Sequence, residues 1–328
     1  MFSLKGGKFI RKENTTVPVT PIPVITFPII PDSELPSFKD EPMNNLESIA
    51  ILTTSREINE GSLTKLLKNI SETTPINDLD LNIFTNNSNH EPILLDMVTN
   101  IFKSVNLINI DIHADNDIYI DIWNYNSFVG KPIPPYGLIS GPNILFMKAM
   151  EVCKKYNTTL LLETDCKLFP RWFEKTKSYV SVEYFLVSGS TYDGEYISIN
   201  HAVSDYCDRL HLNGVALYKT GSPVFQCMMT LLDKYIQYMV AKFDKIRGYD
   251  YIIIYMVLFY TINSPSLQSQ MYWKSVMRYM FKTSLIVNVS AKRDKHLLEK
   301  DILDIHKQCV ILHKKHSNPT ESFVENLE

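Results

Sequence analysis

The sequence predicts an α/β fold, with a mostly parallel central sheet flanked by helices and an extended proline-rich arm ahead of it. Three observations carry this. From Ser48 onward, short aliphatic runs alternate with segments of helical periodicity, the pattern of a parallel sheet with crossover helices. Residues 160–162 are three leucines ending abruptly in Glu163-Thr164-Asp165, which reads as a short, fully buried strand. Residues 1–46 hold seven of the 17 prolines. That density forbids helix and central strand and favours extended, polyproline-like chain.

The arm comes first. Its segment VPVTPIPVITFPIIP interleaves proline with Val, Ile and Phe, too apolar for an ordinary solvated linker. It reads as chain lying along its own domain or along a neighbouring subunit, the second giving a homo-oligomer. A flexible tail is the alternative. A single domain over residues 47–316 and a polar tail over 317–328 follow. Within the domain, residues 49–53 read as a first strand. Residues 61–70 read as an amphipathic helix with Leu63, Leu66, Leu67 and Ile70 on one face. Residues 79–85 form a second strand, 91–104 a helix and 107–112 a third strand. The turn-rich GKPIPPYG precedes a helix over 142–156, the Leu160 strand and a short helix near Trp172. Strands over 182–188 and 214–218, helices over 224–242 and 250–261, and a last strand over 310–313 complete the series.

Bulk properties narrow the function. The chain has 328 residues, 45% of them hydrophobic, ample for a packed core. A formal net charge of −3 and a pI near 6.3 argue against a dedicated nucleic-acid binder, which carries a basic footprint. The five cysteines, at 153, 166, 207, 227 and 309, include no CxxC pair and read as reduced thiols rather than a disulfide framework or zinc site. Sequons begin at Asn14, Asn69, Asn86, Asn157 and Asn288, and read as coincidence in so Asn-rich a chain. No apolar run is long enough to span a bilayer. A cytoplasmic protein is expected. The richness in Asn, Ile and Lys suits an AT-rich genome such as that of a large DNA virus, in which case the cytoplasm is the host's.

The chemistry is concentrated at Glu163 and Asp165. Residues i and i+2 of a strand face the same side, so both carboxylates are expected to enter one crevice at the strand's carboxyl end. That is where open α/β sheets bind ligands. Two hard oxygen ligands there suit Mg²⁺ or Mn²⁺ carrying a phosphorylated substrate. The alternative is an ordinary acidic strand end meeting solvent.

Four segments, in order, resemble the GT-A-fold glycosyltransferases, particularly the family-2-like enzymes. IAILTTSRE (49–57) resembles their opening strand and nucleotide-binding turn. SGPNILFMKAMEVCKKYNTTLLLETD (140–165) has the layout of their helix, strand and DxD block. HLNGVALYK (211–219) is similar to the segment lining the donor-sugar and acceptor pocket. CVILH (309–313) resembles the late strand whose histidine completes the metal site. The DxD appears here as Glu163-x-Asp165, one methylene longer at its first position, so the cation would sit differently or be held through water.

The resemblance implies a transferase moving a sugar from a nucleoside-diphosphate sugar to a hydroxyl acceptor, a glycan or glycoconjugate, with Mn²⁺ or Mg²⁺. It implies Asp165 as direct metal ligand, Glu163 on the ribose or the metal's water shell, and His313 as a third ligand. Lys314 and Lys315 are either diphosphate contacts or tail charges. Thr53, Thr54 and Arg56 are placed on the nucleotide, with turn formation and helix capping as their alternative role. Asn143 matches the asparagine opening the helix before the DxD strand, and is also a candidate N-cap. Asn213 and Gly214 fall in the donor segment.

Asp250 matches an acidic position that opens a late helix and would serve as general base. An N-cap is its alternative. Asp193, Asp205 and Asp208 lie in a long polar stretch that can form an acceptor-side loop. Trp172, Tyr192 and Tyr218 are candidates for stacking on sugars, or for core packing. Where family-2-like enzymes often carry an acid after the second strand, Thr85, Asn86 and Asn87 stand instead, so no base preference carries over. A nucleotidyltransferase on a related sheet expects a Gly-rich, Lys-containing loop after the first strand, and TTSREINEG supplies one late glycine. No GxGxxG follows any strand. A catalytically degenerate scaffold acting in assembly is the non-enzymatic alternative.

Overall fold

The computed structural model describes residues 2–5, 8–11, 27–42, 44–72, 76–86, 95–113, 136, 139–180, 186–191, 214–243, 248–289 and 298–314. The fold is α/β, with a mostly parallel central sheet flanked by helices. A small antiparallel hairpin, β1 (Phe2–Lys5) and β2 (Lys8–Arg11), stands apart. The main sheet has nine strands: β3 (Leu46–Thr53), β4 (Ile76–Thr85), β5 (Phe102–Asn109), β6 (Thr158–Glu163), β7 (Cys166–Leu168), β8 (Leu186–Thr191), β9 (Ala216–Tyr218), β10 (Met280–Val289) and β11 (Ile311–Lys314). Their order across the sheet is β5-β4-β3-β6-β9-β8-β10-β11-β7. β9 and the edge strand β7 run against their neighbours, and the other pairings are parallel.

The helices follow the chain as α1 (Ser55–Asn59), α2 (Ser62–Ser71), α3 (Asp96–Thr99), α4 (Ser140–Cys153), α5 (Trp172–Tyr179), α6 (Pro223–Phe243), α7 (Tyr249–Asn263), α8 (Leu267–Arg278) and α9 (Glu299–Ile305). No described helix is long and apolar enough to cross a membrane. Both faces of the sheet are covered, which is why its central strands read as continuous apolar runs. On one face Ala50, Leu52, Phe84 and Leu161 pack with α4, α6, α7 and α8. On the other, Ile49, Ile51, Ile83, Leu160 and Leu162 pack with the buried side of α2, where Leu63, Leu66, Leu67 and Ile70 point inward as their spacing predicts.

The structure departs from the sequence expectations at three places. The helix over 91–104 reduces, among described residues, to the single turn of α3, and strand β5 starts at Phe102 rather than 107. The apolar residues there serve a parallel ladder with β4, in register from Ser104 to Asn109, which overrides the weak helical spacing. The chain between α7 and the last strand, unassigned from sequence, holds α8, β10 and α9. The sharp turn Thr164–Asp165 leads into β7, which the sequence reading did not separate from β6.

The strand order has a geometric consequence. β6 and β7 are separated by two residues in the chain but by four strands in the sheet. Five strand spacings laid flat would span about 24 Å, whereas three Cα steps reach at most about 11 Å. This half of the sheet therefore curls back on itself and carries β11 round to the end of β6.

Residues 27–42 pack on the face that carries α4, α6, α7 and α8. Phe27 sits among Tyr235, Tyr238, Phe259 and Tyr260, with ring centroids 4.6–6.5 Å apart. The Tyr260 hydroxyl donates to the Pro28 carbonyl at 2.5 Å, and the Ser266 hydroxyl bonds the Asp32 carboxylate at 2.7 Å.

Candidate functional site

β3 pairs on one side with β4 and on the other with β6, so the strand order reverses between β3 and β6. A crevice opens outside the carboxyl ends of strands at such a point. Leu52 of β3 stands opposite Glu163 of β6, which places Thr53 and Glu163 together at that rim.

Glu163 ends β6 on the face that Leu161 shares with α4 and α7. Asp165 lies in the turn beyond the strand, so the turn, and not the strand's pleat, swings the second carboxylate in. The curled sheet supplies the third group. His313 Nε2 lies 3.2 Å from Glu163 Oε2 and 3.0 Å from Asp165 Oδ1. The ligand-type atoms of these three residues all lie within 4.8 Å of one another. His313 is 1% exposed. Burial alone would push its imidazole down, but the Asp165 and Glu163 carboxylates outweigh that and push it up to about 10.

These residues fit a divalent cation. Asp165 Oδ1 is buried at contact distance from Nε2 without the alignment of a hydrogen bond. Two carboxylates and one imidazole converging on one point form a mixed oxygen–nitrogen donor set.

A tight frame surrounds the cluster. The Tyr249 hydroxyl, on the first residue of α7, lies 3.4 Å from Glu163 Oε1, and its ring stacks on Phe146 of α4 at 3.7 Å and 4°. Burial first, and then the Glu163 charge, drive the Tyr249 phenol well above its ordinary range, so it stays neutral and donates to the carboxylate. Gly214 fits where no other residue does. A Cβ there would overlap the Tyr249 hydroxyl and come within 2.8 Å of Glu163 Oε1.

Glu57 is a further acid within reach of the Asp165 charge. It closes a capping box with Thr54, whose backbone N–H donates to Oε2 at 2.7 Å. Desolvation raises the Glu57 carboxyl, against the lowering effect of its bonds to Thr54 and Thr164, and the Asp165 charge adds to the rise.

The sequence candidates distribute as follows. Glu163, Asp165 and His313 come together. Gly214 lies against them, Thr53 is buried at the rim, and Thr54 caps α1. Arg56 is 70% exposed and pairs with Glu60 at 2.7 Å. Asn143 is not the N-cap of its own helix, a position held by Ile139. It bridges two helix starts, its Oδ1 accepting from Tyr249 N at 2.8 Å while its Nδ2 donates to the Tyr136 carbonyl at 3.2 Å. Asp250 is likewise not an N-cap. Gly248 holds that place, and Asp250 sits in the first turn with its carboxylate folded back toward it. Its charge is felt by the phenols of Tyr218 and Tyr249.

Trp172 and Tyr218 are core residues, each 1% exposed. Asn213, Tyr192, Asp193, Asp205, Asp208 and Lys315 lie outside the described residues. Sequence reasoning passed over Tyr249, Glu57 and Asn288. The tyrosine adjoining a predicted general base was a usable signal. Asn288 had none, because its strand went unassigned.

No family model and no curated protein sequence matches the chain. Several solved structures resemble it at low identity. Mouse xyloside xylosyltransferase 1, in its apo form, is 11% identical, with a TM-score of 0.47 over 82% of this chain and 97% of that one. The galactosyltransferase LgtC, solved with donor and acceptor sugar analogues, is 9% identical, with a TM-score of 0.40 over 83% and 87%. Residues 1–349 of TarS from S. aureus are 10% identical, with a TM-score of 0.35 over 71% and 78%.

Proposed function

We propose that the protein is a glycosyltransferase moving a sugar from a nucleoside-diphosphate sugar to a hydroxyl acceptor, with a divalent cation held by Glu163, Asp165 and His313. The observation that carries this reading is the convergence of those three side chains at the crevice where the strand order reverses. The imidazole in the set favours Mn²⁺, since Mg²⁺ prefers an all-oxygen shell. A cation bound there supplies Lewis-acid stabilisation of the charge that develops on a departing diphosphate.

The chain's own residues orient and exchange protons around that centre. Tyr249 donates to Glu163 and fixes the carboxylate that would otherwise swing with its extra methylene. Asn143 holds the first backbone N–H of α7, and so fixes the turn that presents Asp250. Asp250 accepts the proton of the acceptor hydroxyl. Thr53 and Thr54 border the nucleotide end of the crevice, with Gly214 on the donor-sugar side. Arg56 gives up only an exposed helix pair with Glu60 to reach a phosphate.

A thermal-shift panel of nucleoside diphosphates and nucleotide sugars, with and without Mn²⁺, tests the reading. A ligand at one hundred times its Kd adds about 2.7 kcal/mol to apparent stability. A Mn²⁺-dependent rise in Tm with at least one nucleoside diphosphate is expected, and its loss in Asp165→Ala. A wild-type protein that responds to none of them would sink the transferase and leave a scaffold. A full response in Asp165→Ala would remove Asp165 from the metal site.

A further inference from the structure

His313 is held from behind by a residue outside the three-ligand set. β10 and β11 run parallel with Asn288 opposite His313 in register. The ring's Nδ1 lies 2.9 Å from Asn288 Oδ1, and Asn288 is 4% exposed. An amide oxygen accepts and does not donate. With Oδ1 facing it, Nδ1 keeps its hydrogen, and Nε2, set between Glu163 and Asp165, is the nitrogen that gives up its proton to a bound cation. The rest of the amide has no competing attachment. Asn288 Nδ2 is buried with no hydrogen-bond partner among the described residues. A buried polar atom left so is costly, and the bond to the imidazole is the contact set against that cost. Burial and this bond also close the Asn288-Val289-Ser290 sequon in the folded protein.

We infer that Asn288 is a positioning residue of the cation site, locking His313 as the Nδ1–H tautomer with Nε2 aimed at the two carboxylates. The inference rests on the metal site proposed above and adds to it the residue that decides which nitrogen coordinates. Partners behind a ligating imidazole fix its orientation and raise its basicity, and their loss typically costs 10–100-fold in metal affinity.

Calorimetric titration with Mn²⁺ alone tests it, on wild type, Asn288→Leu and Asn288→Asp. Leucine keeps the volume and removes the acceptor, and aspartate keeps an acceptor. Asn288→Leu is expected to bind Mn²⁺ about 10–100-fold more weakly, with Asn288→Asp retaining most of the affinity. Equal binding by wild type and Asn288→Leu overturns the role of Asn288 and leaves the metal site standing. No binding by wild type overturns both. Should Asn288→Leu fail to fold, ¹⁵N-histidine NMR of the Zn²⁺-loaded wild type decides. A protonated Nδ1 and a metal-shifted Nε2 on His313 support the inference, and an unprotonated Nδ1 overturns it.

Discussion

Gly214 shows how closely the site is built at the scale of single residues. Its missing side chain leaves room that Tyr249 and Glu163 occupy, so one added methyl group meets a hydroxyl and a carboxylate together. Gly214→Ala is expected to cost about 1–3 kcal/mol by overpacking and to remove Mn²⁺ binding by displacing Glu163. Adding Tyr249→Phe removes one of the two clashes, so the double variant should be more stable than the two single costs predict. Urea denaturation beside Mn²⁺ titration measures both, and an alanine variant that keeps wild-type stability and affinity contradicts the arrangement. Glu163 and Asp165 were legible as candidates because a buried leucine run ends on two carboxylates at i, i+2 spacing, and His313 because its segment resembles a late strand that completes a metal site. The roles of Asn143 and Asp250 were less so. Each reads locally as a helix cap, and the partners that make it otherwise lie about 106 residues away for Asn143 and at the opening of α7 for Asp250.

Among the elements, the segment ahead of β3 is tied to the body by a charge. Glu41 Oε2 lies 3.3 Å from Lys219 Nζ, with both side chains no more than 12% exposed. The Ser222 hydroxyl donates to Glu41 Oε1 at 2.7 Å, just where α6 begins. Removing one member of a buried pair typically costs about 3–5 kcal/mol, while replacing both with neutral groups costs far less. Glu41→Gln should therefore lower the urea midpoint sharply, and Glu41→Gln with Lys219→Met should recover most of it. No loss in the single variant would show that residues 27–42 do not depend on this pair. Strong apolar patterns made most elements readable: β3, α2, β4, α4, β6, α6 and α7 lie within a few residues of their expected bounds. The failures fell where pattern is weak. Residues 102–109 form an edge strand with mixed exposure, and α8 mixes glutamine, serine and tryptophan with no continuous stripe.

For the molecule as a whole, the curl of the sheet is the device that makes a site. It brings β11 to the end of β6, so one bound cation should tie together segments about 150 residues apart in the chain. Hydrogen exchange read by mass spectrometry should then show Mn²⁺ protecting residues 160–166 and 311–314 together, with β4 and β5 unchanged. Protection confined to the first segment would take His313 out of the site. The amino-acid sequence by itself determined the α/β class, most of the central strands and helices, and the residue types at the cluster. Those follow from local periodicity and from carboxylates placed at strand ends, which are short-range properties of a chain. Only the tertiary structure decided that Asp165 arrives by a turn, that Asn143 holds a second helix, that Asn288 stands behind His313, and that Gly214 has no room for a side chain. Each of these depends on strand order and register, which bring together residues that no local pattern connects.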